Sequence, residues 1–178
     1  MINGMNEQSE KDLIDGLLED WDFQRADLEP EPMGITLRVQ ALAKKFNDLA
    51  SARLQEFDLQ WWQYDVLSAL RRQGEPFRLA ASELAAAGML TSGAMTNRID
   101  RLEETGWVQR VKDDRDRRRV LVQLTGAGLR LVDQASETRF ETATAALAGL
   151  NHRDQRQLNG LLRMLLLSLQ HERQESGE

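Results

Sequence analysis

The chain has no cysteine, so disulfides, thiolate nucleophiles, thiolate metal sites and cysteine redox switches are all excluded. Histidine is almost as scarce: His152 and His171 are the only two, which argues against an imidazole-rich metal site. No run approaches the roughly 18 apolar residues of a membrane span, and the first residues lack the basic-then-apolar order of a secretory signal. The expectation is a soluble, cytoplasmic chain with no membrane partner. A Gly-x-Ser-x-Gly elbow, a phosphate-binding glycine loop and a histidine beside a candidate nucleophile are also missing. Adjacent acids such as Glu103 and Glu104 cannot share one helix face, so they make a poor acid/base pair. An enzyme is therefore the weakest reading, and no cofactor or metal is expected.

What is present is ordinary globular material: 178 residues, 41% hydrophobic and 29% charged, enough for one compact domain with its own core. The net charge of −6 is unevenly placed. Residues 1–32 carry ten acids and two bases, which leaves 19 acids and 21 bases on residues 33–178. The acidity thus belongs to the N-terminal extension. Between 91 and 124 there are eight bases against six acids, and Lys112, Arg115, Arg117, Arg118 and Arg119 fall within eight residues. A local cationic site on a nearly neutral body stays open.

Residues 1–9 are polar and expected to fray. From Lys11, Ile14, Leu17, Leu18 and Trp21 follow helical spacing, so a short amphipathic helix is expected to end near Phe23. Arg25 to Pro32, with two prolines in three residues, reads as an extended linker. Ile35, Val39, Leu42, Phe46 and Leu49 then step by 4, 3, 4 and 3 along a helix from about Gly34 to Phe57, the spacing of a helix that packs along another. A third helix is expected from Gln60 to Arg72, stopping at Gly74. Two brief helices follow a short piece after Pro76. Ser82 is the expected N-cap of the first, which Gly88 closes, and Thr91 or Ser92 caps the second, which ends at Gly106. Trp107, Val108 and Val111 make a strand, Lys112 to Arg119 a loop, and Val120, Val122 and Leu124 a returning strand. Helices over about 126–148 and 152–172 complete the chain, the last carrying Leu158, Leu161, Leu162, Leu165, Leu166 and Leu169.

The second brief helix buries Met95, Ile99 and Leu102. At about 100° per residue, Gly93, Asn97 and Asp100 then point nearly opposite, with Thr96 and Arg101 on the flanks. Small and amide-bearing residues at a helix start suit entry into a DNA major groove, where bulk would block the phosphates and Thr, Asn and Arg bond to base edges and backbone. A surface helix of a bundle accounts for this pattern equally well. The charged run Asp113-Asp114-Arg115-Asp116-Arg117-Arg118 shifts the balance, because it lies between two strands that follow a helix-turn-helix. An exposed hairpin tip bearing arginine suits a minor groove, with the aspartates holding the guanidinium groups in position. A winged helix is the better account.

Three blocks in order, Ser92-Gly93-Ala94-Met95-Thr96-Asn97-Arg98 through Leu102-Glu103-x-x-Gly106, Asp113-x-Arg115-Asp116-x-Arg118, and Leu124-Thr125-x-x-Gly128, carry a family resemblance. Over roughly residues 34–170 the chain resembles the multiple-antibiotic-resistance regulators, the MarR family of bacteria and archaea. The resemblance implies a mainly α winged helix-turn-helix with a small β-hairpin wing, built as an intertwined homodimer whose ligands bind between the dimer interface and the DNA-reading lobes. It divides the chain into an acidic extension (1–32), dimerisation helices (33–57 and 126–178) and a DNA-binding region (58–125). Ser92, Gly93, Thr96, Asn97, Arg101, Arg115, Arg117 and Arg118 would contact double-stranded DNA. Urate-responsive members resemble this chain in an added N-terminal helix with a tryptophan, an aspartate before the helix-turn-helix and two arginines. Those positions match Trp21, Asp65, Arg98 and Arg110.

An aromatic anion needs a stacking surface and a cationic anchor, which Trp21 and Arg98 can supply. Equally, Trp21 can simply end an apolar stripe while Asp65 and Arg98 form a structural ion pair. The expected function is a repressor released from a pseudo-palindromic operator by a small aromatic anion, urate or a phenolic acid. The alternative is a helical protein-interaction or scaffold dimer without DNA binding, for which the acidic net charge speaks.

Overall fold

A computed structural model describes residues 11–113 and 120–175. The wing arginines Arg115, Arg117 and Arg118 lie outside the described residues. Two compact units divide the chain, one up to Leu49 and one from Ala50 onward.

In the first unit, α1 (Leu13–Gln24) starts at Asp12, whose carboxylate accepts the backbone N–H groups of Ile14 and Asp15 while the Asp15 side chain accepts that of Asp12. This reciprocal cap satisfies donors that the helix itself leaves open. Arg38 of α2 (Pro30–Gln55) then donates to both Asp12 oxygens at 2.9 and 3.1 Å and to Asp15 at 2.5 Å. Gly34 is buried beneath Leu18: a Cβ there would stand 2.7 Å from Leu18 Cδ1. The extended linker expected over Arg25–Pro32 is therefore shorter than its prolines implied. Pro30 and Pro32 occupy the first turn of α2, where no N–H is needed for the helix ladder and the fixed φ is already helical.

The second unit holds the last turn of α2, then α3 (Trp61–Arg71), β1 (Arg78–Ala80), α4 (Ala81–Ala87), α5 (Ser92–Glu104), β2 (Val108–Lys112), β3 (Val120–Leu124), α6 (Gly126–Ala146) and α7 (His152–Glu175). The sheet is antiparallel in the order β1-β3-β2, with Val122 paired to Leu79 on one side and to Arg110 on the other. β3 is thus a central strand rather than half of a free hairpin. That explains why its burial does not alternate as expected: Leu121 and Val122 are both buried while Val120 is exposed. The core gathers Leu67 and Leu70 of α3, Leu84 of α4, Met95, Ile99 and Leu102 of α5, Val122 of β3, and Val132 and Ala135 of α6.

Two caps differ from expectation. α4 starts after Ala80, not after Ser82, because the Glu83 side chain reaches back to accept the Ala80 N–H at 2.8 Å. At its end Gly88 keeps a negative φ of −88°, and Met89 takes the left-handed conformation at φ 50°. The Leu90 N–H then bonds to the Ala85 carbonyl at 2.9 Å, which sets the tight turn into α5.

α5, β2 and α6 meet at Thr125. Its N–H bonds to the Trp107 carbonyl at 3.0 Å, and its hydroxyl donates to the Gly106 carbonyl at 2.7 Å while accepting the Gly128 N–H at 3.1 Å. Gly128 lies so close that a Cβ would stand 2.0 Å from the Trp107 carbonyl oxygen. Gly128→Ala should therefore lower stability by about 1 to 3 kcal/mol, the usual cost of overpacking. Gly126→Ala, whose nearest neighbour is the flexible Arg130 tip at 3.6 Å, should not. Urea unfolding midpoints of the two variants against the parent check this.

Candidate DNA-reading face and ligand cluster

α5 is built with two unlike faces. Thr91 caps it by accepting the Ala94 N–H at 3.3 Å, and Gly106 ends the turn beyond it with φ 74°. Met95, Ile99 and Leu102 on the inner face are at most 2% exposed. Ser92, Gly93, Thr96, Asn97 and Arg101 are all exposed. A Cβ on Gly93 would meet nothing within 4 Å, so packing does not require glycine there. Thr96 donates to the Ser92 carbonyl at 2.9 Å and keeps its oxygen free to accept. Asn97 and Arg101 make no hydrogen bond or ion pair among the described residues.

Asp100, expected to face outward with Asn97, is engaged across the sheet instead. Arg110 of β2 donates to Asp100 at 2.5 Å and to Glu103, and its backbone N–H donates to Glu103 Oε1 at 2.9 Å. Partial burial opposes the Arg110 charge, but the bonds to Asp100 and Glu103 outweigh it and hold the guanidinium above its ordinary value. Arg110, assigned to a ligand by resemblance, here holds β2 to the outer flank of α5.

A second cluster lies on α3, facing α5 and α6. Asp65 follows Trp61 by four residues and Trp62 by three, so it neighbours each of them on the surface of α3. The Arg98 guanidinium lies over the Trp62 ring at 5.5 Å. Arg139 of α6 lies over Trp61 at 4.3 Å and over Tyr64 at 5.0 Å, and the Tyr64 hydroxyl contacts Ser136 Oγ at 3.2 Å. The Arg139 Nη1 atom is buried with no hydrogen-bond partner among the described residues. Among those residues Asp65 and Arg98 do not close the ion pair that was one reading of the sequence. Asp65 is instead pushed above the ordinary carboxylate range by desolvation, against the pull of Arg139, Arg98 and Arg72.

Trp21 belongs to the first unit. It is 52% exposed and borders a cavity of about 240 Å³ together with Leu18, Arg25, Leu28, Pro30 and Met33. Among the described residues no group of three or more His, Asp or Glu is placed to hold a metal, and no helix is long and apolar enough to cross a membrane.

A helix-turn-helix of α4 and α5 backed by a three-stranded sheet is the winged-helix arrangement. A family profile described as "MarR family" matches residues 57–119. The chain is 31% identical over 152 residues to the HTH-type transcriptional regulator PecS of Dickeya dadantii, covering 84% of this chain and 90% of that one. Among solved structures it is similar to a mutant MarR from E. coli complexed with operator DNA, with 26% identity, a TM-score of 0.65, and coverage of 76% of this chain and 96% of that one. AbsC from Streptomyces coelicolor, at 22% identity, shares the fold with a TM-score of 0.71 over 81% of this chain and 97% of that one. The chain belongs to the MarR family of winged-helix transcriptional regulators.

Sequence reasoning did not find Arg139, the Trp61 and Trp62 rings, or the engagement of Asp100 by Arg110. The adjacent tryptophans one turn before Asp65 were the available signal for the rings.

The state of Asp65 has a measurable consequence. A carboxyl raised in the folded state binds its proton more tightly there than in the unfolded chain, so its contribution to stability falls as pH rises through the carboxylate range. Asp65→Asn should therefore raise the thermal midpoint at neutral pH. The gain should fade below the ordinary value of 3.8, where the parent side chain is protonated in both states. Paired melting curves at neutral and acid pH test this.

Proposed function

We propose that the chain is a homodimeric repressor that reads a pseudo-palindromic duplex with α5 and leaves it when a small aromatic anion binds. The observation that carries the DNA reading is the outer face of α5, where Asn97 and Arg101 have no partner among the described residues and Gly93 leaves open space, on a helix whose inner face is fully packed. Ser92, Gly93 and Thr96 approach the phosphates, and Asn97 and Arg101 bond to base edges. Arg115, Arg117 and Arg118, which follow β2 in the sequence, are assigned to the adjacent minor groove on the charge pattern of that segment. The operator complex of the similar MarR from E. coli supports this reading.

Dimerisation is supported by apolar side chains that one chain leaves in water. Ile35, Leu42 and Phe46 of α2, and Leu161, Leu166 and Leu169 of α7, are each more than 40% exposed. Patches of this extent on helices mark an interface. For the ligand, Asp65 and Arg98 supply a carboxyl and a cation not paired to each other among the described residues. Arg110 acts on the ligand response through α5, which it grips at Asp100 and Glu103. Urate and phenolic acids fit a site of planar rings and guanidinium groups.

Two recognition helices related by a two-fold axis require half-sites about 10 bp apart, centre to centre. In a binding assay on the chain's own upstream DNA, Asn97→Ala should cost about 1 to 3 kcal/mol on the preferred sequence and far less on random duplex. Gly93→Ala should weaken both while leaving the protein at least as stable, since alanine is the better helix former by up to about 1 kcal/mol. Equal losses on both duplexes for Asn97→Ala would overturn base reading by α5. Sedimentation should show a dimer at micromolar concentration, and Leu162→Glu should dissociate or unfold it. A monomeric parent chain would overturn the two-fold arrangement.

A further inference from the structure

Among the described residues of the second unit, Arg139 is a cation that folding alone does not account for. Around Asp65 three guanidinium groups exert their charge, those of Arg139, Arg98 and Arg72. Arg72 donates to Ser68 Oγ at 3.3 Å. Arg139 closes no ion pair among the described residues: its guanidinium carbon lies 4.3 Å from the Trp61 ring centre and 5.0 Å from that of Tyr64, and its Nη1 is buried without a hydrogen-bond partner among those residues. A buried N–H of a charged group left unmatched is destabilising, and ordinary folding removes such groups. Arg71, on the same helix as Asp65, shows the usual outcome by donating to Asp133 of α6 at 2.6 Å.

The arrangement is directional. Trp61 and Trp62 are neighbours at the start of α3, and each carries one guanidinium on its ring, Arg139 from α6 and Arg98 from α5. Contact with a ring restricts each guanidinium before anything binds, which removes part of the ordering cost of a contact to an anion. Asp65 stands one turn further on, offering a carboxyl to a ligand N–H or O–H.

We propose that Arg139 is a ligand-anchoring residue, pairing with Arg98 to hold the oxygen atoms of a planar aromatic anion beside Asp65. This rests on the anion-responsive reading given above and adds to it a cation that the family resemblance does not supply. It also states how binding reaches the DNA-reading helix: the anion bridges α6 to α5 through Arg98.

The test is calorimetric titration of the full-length protein with salicylate, with its neutral analogue salicylamide, and with urate. The variants are Arg139→Gln and Arg139→Lys, with Arg130→Gln as an exposed control on the same helix. The parent chain should prefer salicylate to salicylamide. Arg139→Gln should lose at least tenfold in affinity for salicylate and urate and abolish that preference, with DNA affinity in the absence of ligand unchanged within threefold. Arg139→Lys, which keeps the charge and loses the fork, should fall between, and it decides the matter if Arg139→Gln does not fold. Arg130→Gln should bind as the parent does. Parent-like anion preference in the Arg139 variants overturns the role of Arg139 while leaving the anion reading intact. Failure of the parent chain to bind any of the three anions or analogues overturns both.

Discussion

The second unit depends on one close approach, that of Gly128 to the carbonyl of Trp107. A Cβ at that point would lie 2.0 Å from the oxygen, inside any tolerable contact distance. Because α6 can come this near, Thr125 spans the gap with its own N–H and hydroxyl, which bond to Trp107, Gly106 and Gly128. Gly106 ends α5, Trp107 leads into β2, and Thr125 follows β3, so four elements take their mutual angles from one residue and the space beside it. The recognition helix and the root of the wing are therefore fixed relative to α6 by hydrogen bonds as well as by the apolar core. It also gives the Leu124-Thr125-x-x-Gly128 pattern a physical cause: the threonine is needed for three bonds and the glycine for the room to make them.

Charge is the second organising quantity, and its placement matters more than its sum. The chain is acidic overall, yet two of the three carboxylates of α5, Asp100 and Glu103, are paired with a cation although they remain partly exposed. Asp100 and Glu103 are engaged by Arg110, which lowers the net negative charge beside Asn97 and Arg101 without any change in composition. Around Asp65 the balance runs the other way. Three guanidinium groups act on a single carboxyl that closes no ion pair with Arg98, so the neighbourhood carries positive charge in excess. Acids are thus matched on the outer flank of α5, whereas cations outnumber the carboxyl around Asp65.

How much of this was legible in the sequence follows from how local each feature is. The bounds of α5 come from Thr91, Gly106 and the spacing of Met95, Ile99 and Leu102, all within the segment itself, and the structure agrees with them. The start of α2 was misread because two prolines signal extended chain in the middle of a segment and helix in its first turn. What separates the cases is Gly34 beneath Leu18 and Arg38 on Asp12 and Asp15, contacts from another helix. β1 spans three residues, too few for any period to show, and exists because β3 offers an edge. In the candidate site, the outward set on α5 could be read from geometry alone, apart from Asp100, which Arg110 of a neighbouring strand engages. Arg139 could not, since nothing near it in sequence distinguishes it from the exposed Arg130. Its character comes from rings on α3.

The restraints on α5 are of unequal strength, and the difference bears on how a ligand signal can act. Its inner seam buries three apolar side chains, each worth about 1.5 to 3 kcal/mol. Its flanks are held by weaker interactions: Arg98 over Trp62, a cation–π contact of order 0.5 to 2 kcal/mol, and the half-exposed pairs of Arg110 with Asp100 and Glu103, of order 0.2 to 1 kcal/mol each. The softest motion left to the helix is therefore a small roll about its buried seam, with the flanks yielding before the core does. Such a roll displaces the outer residues most, because they lie farthest from the seam, and Asn97 and Arg101 are among them. A charge that competes for Arg98 acts on a flank alone, and so alters the reading face at a cost well below that of disturbing the core. Restraints of this size match the 1 to 3 kcal/mol coupling typical of ligand-responsive proteins, whereas a signal routed through Met95, Ile99 and Leu102 would have to oppose several times that.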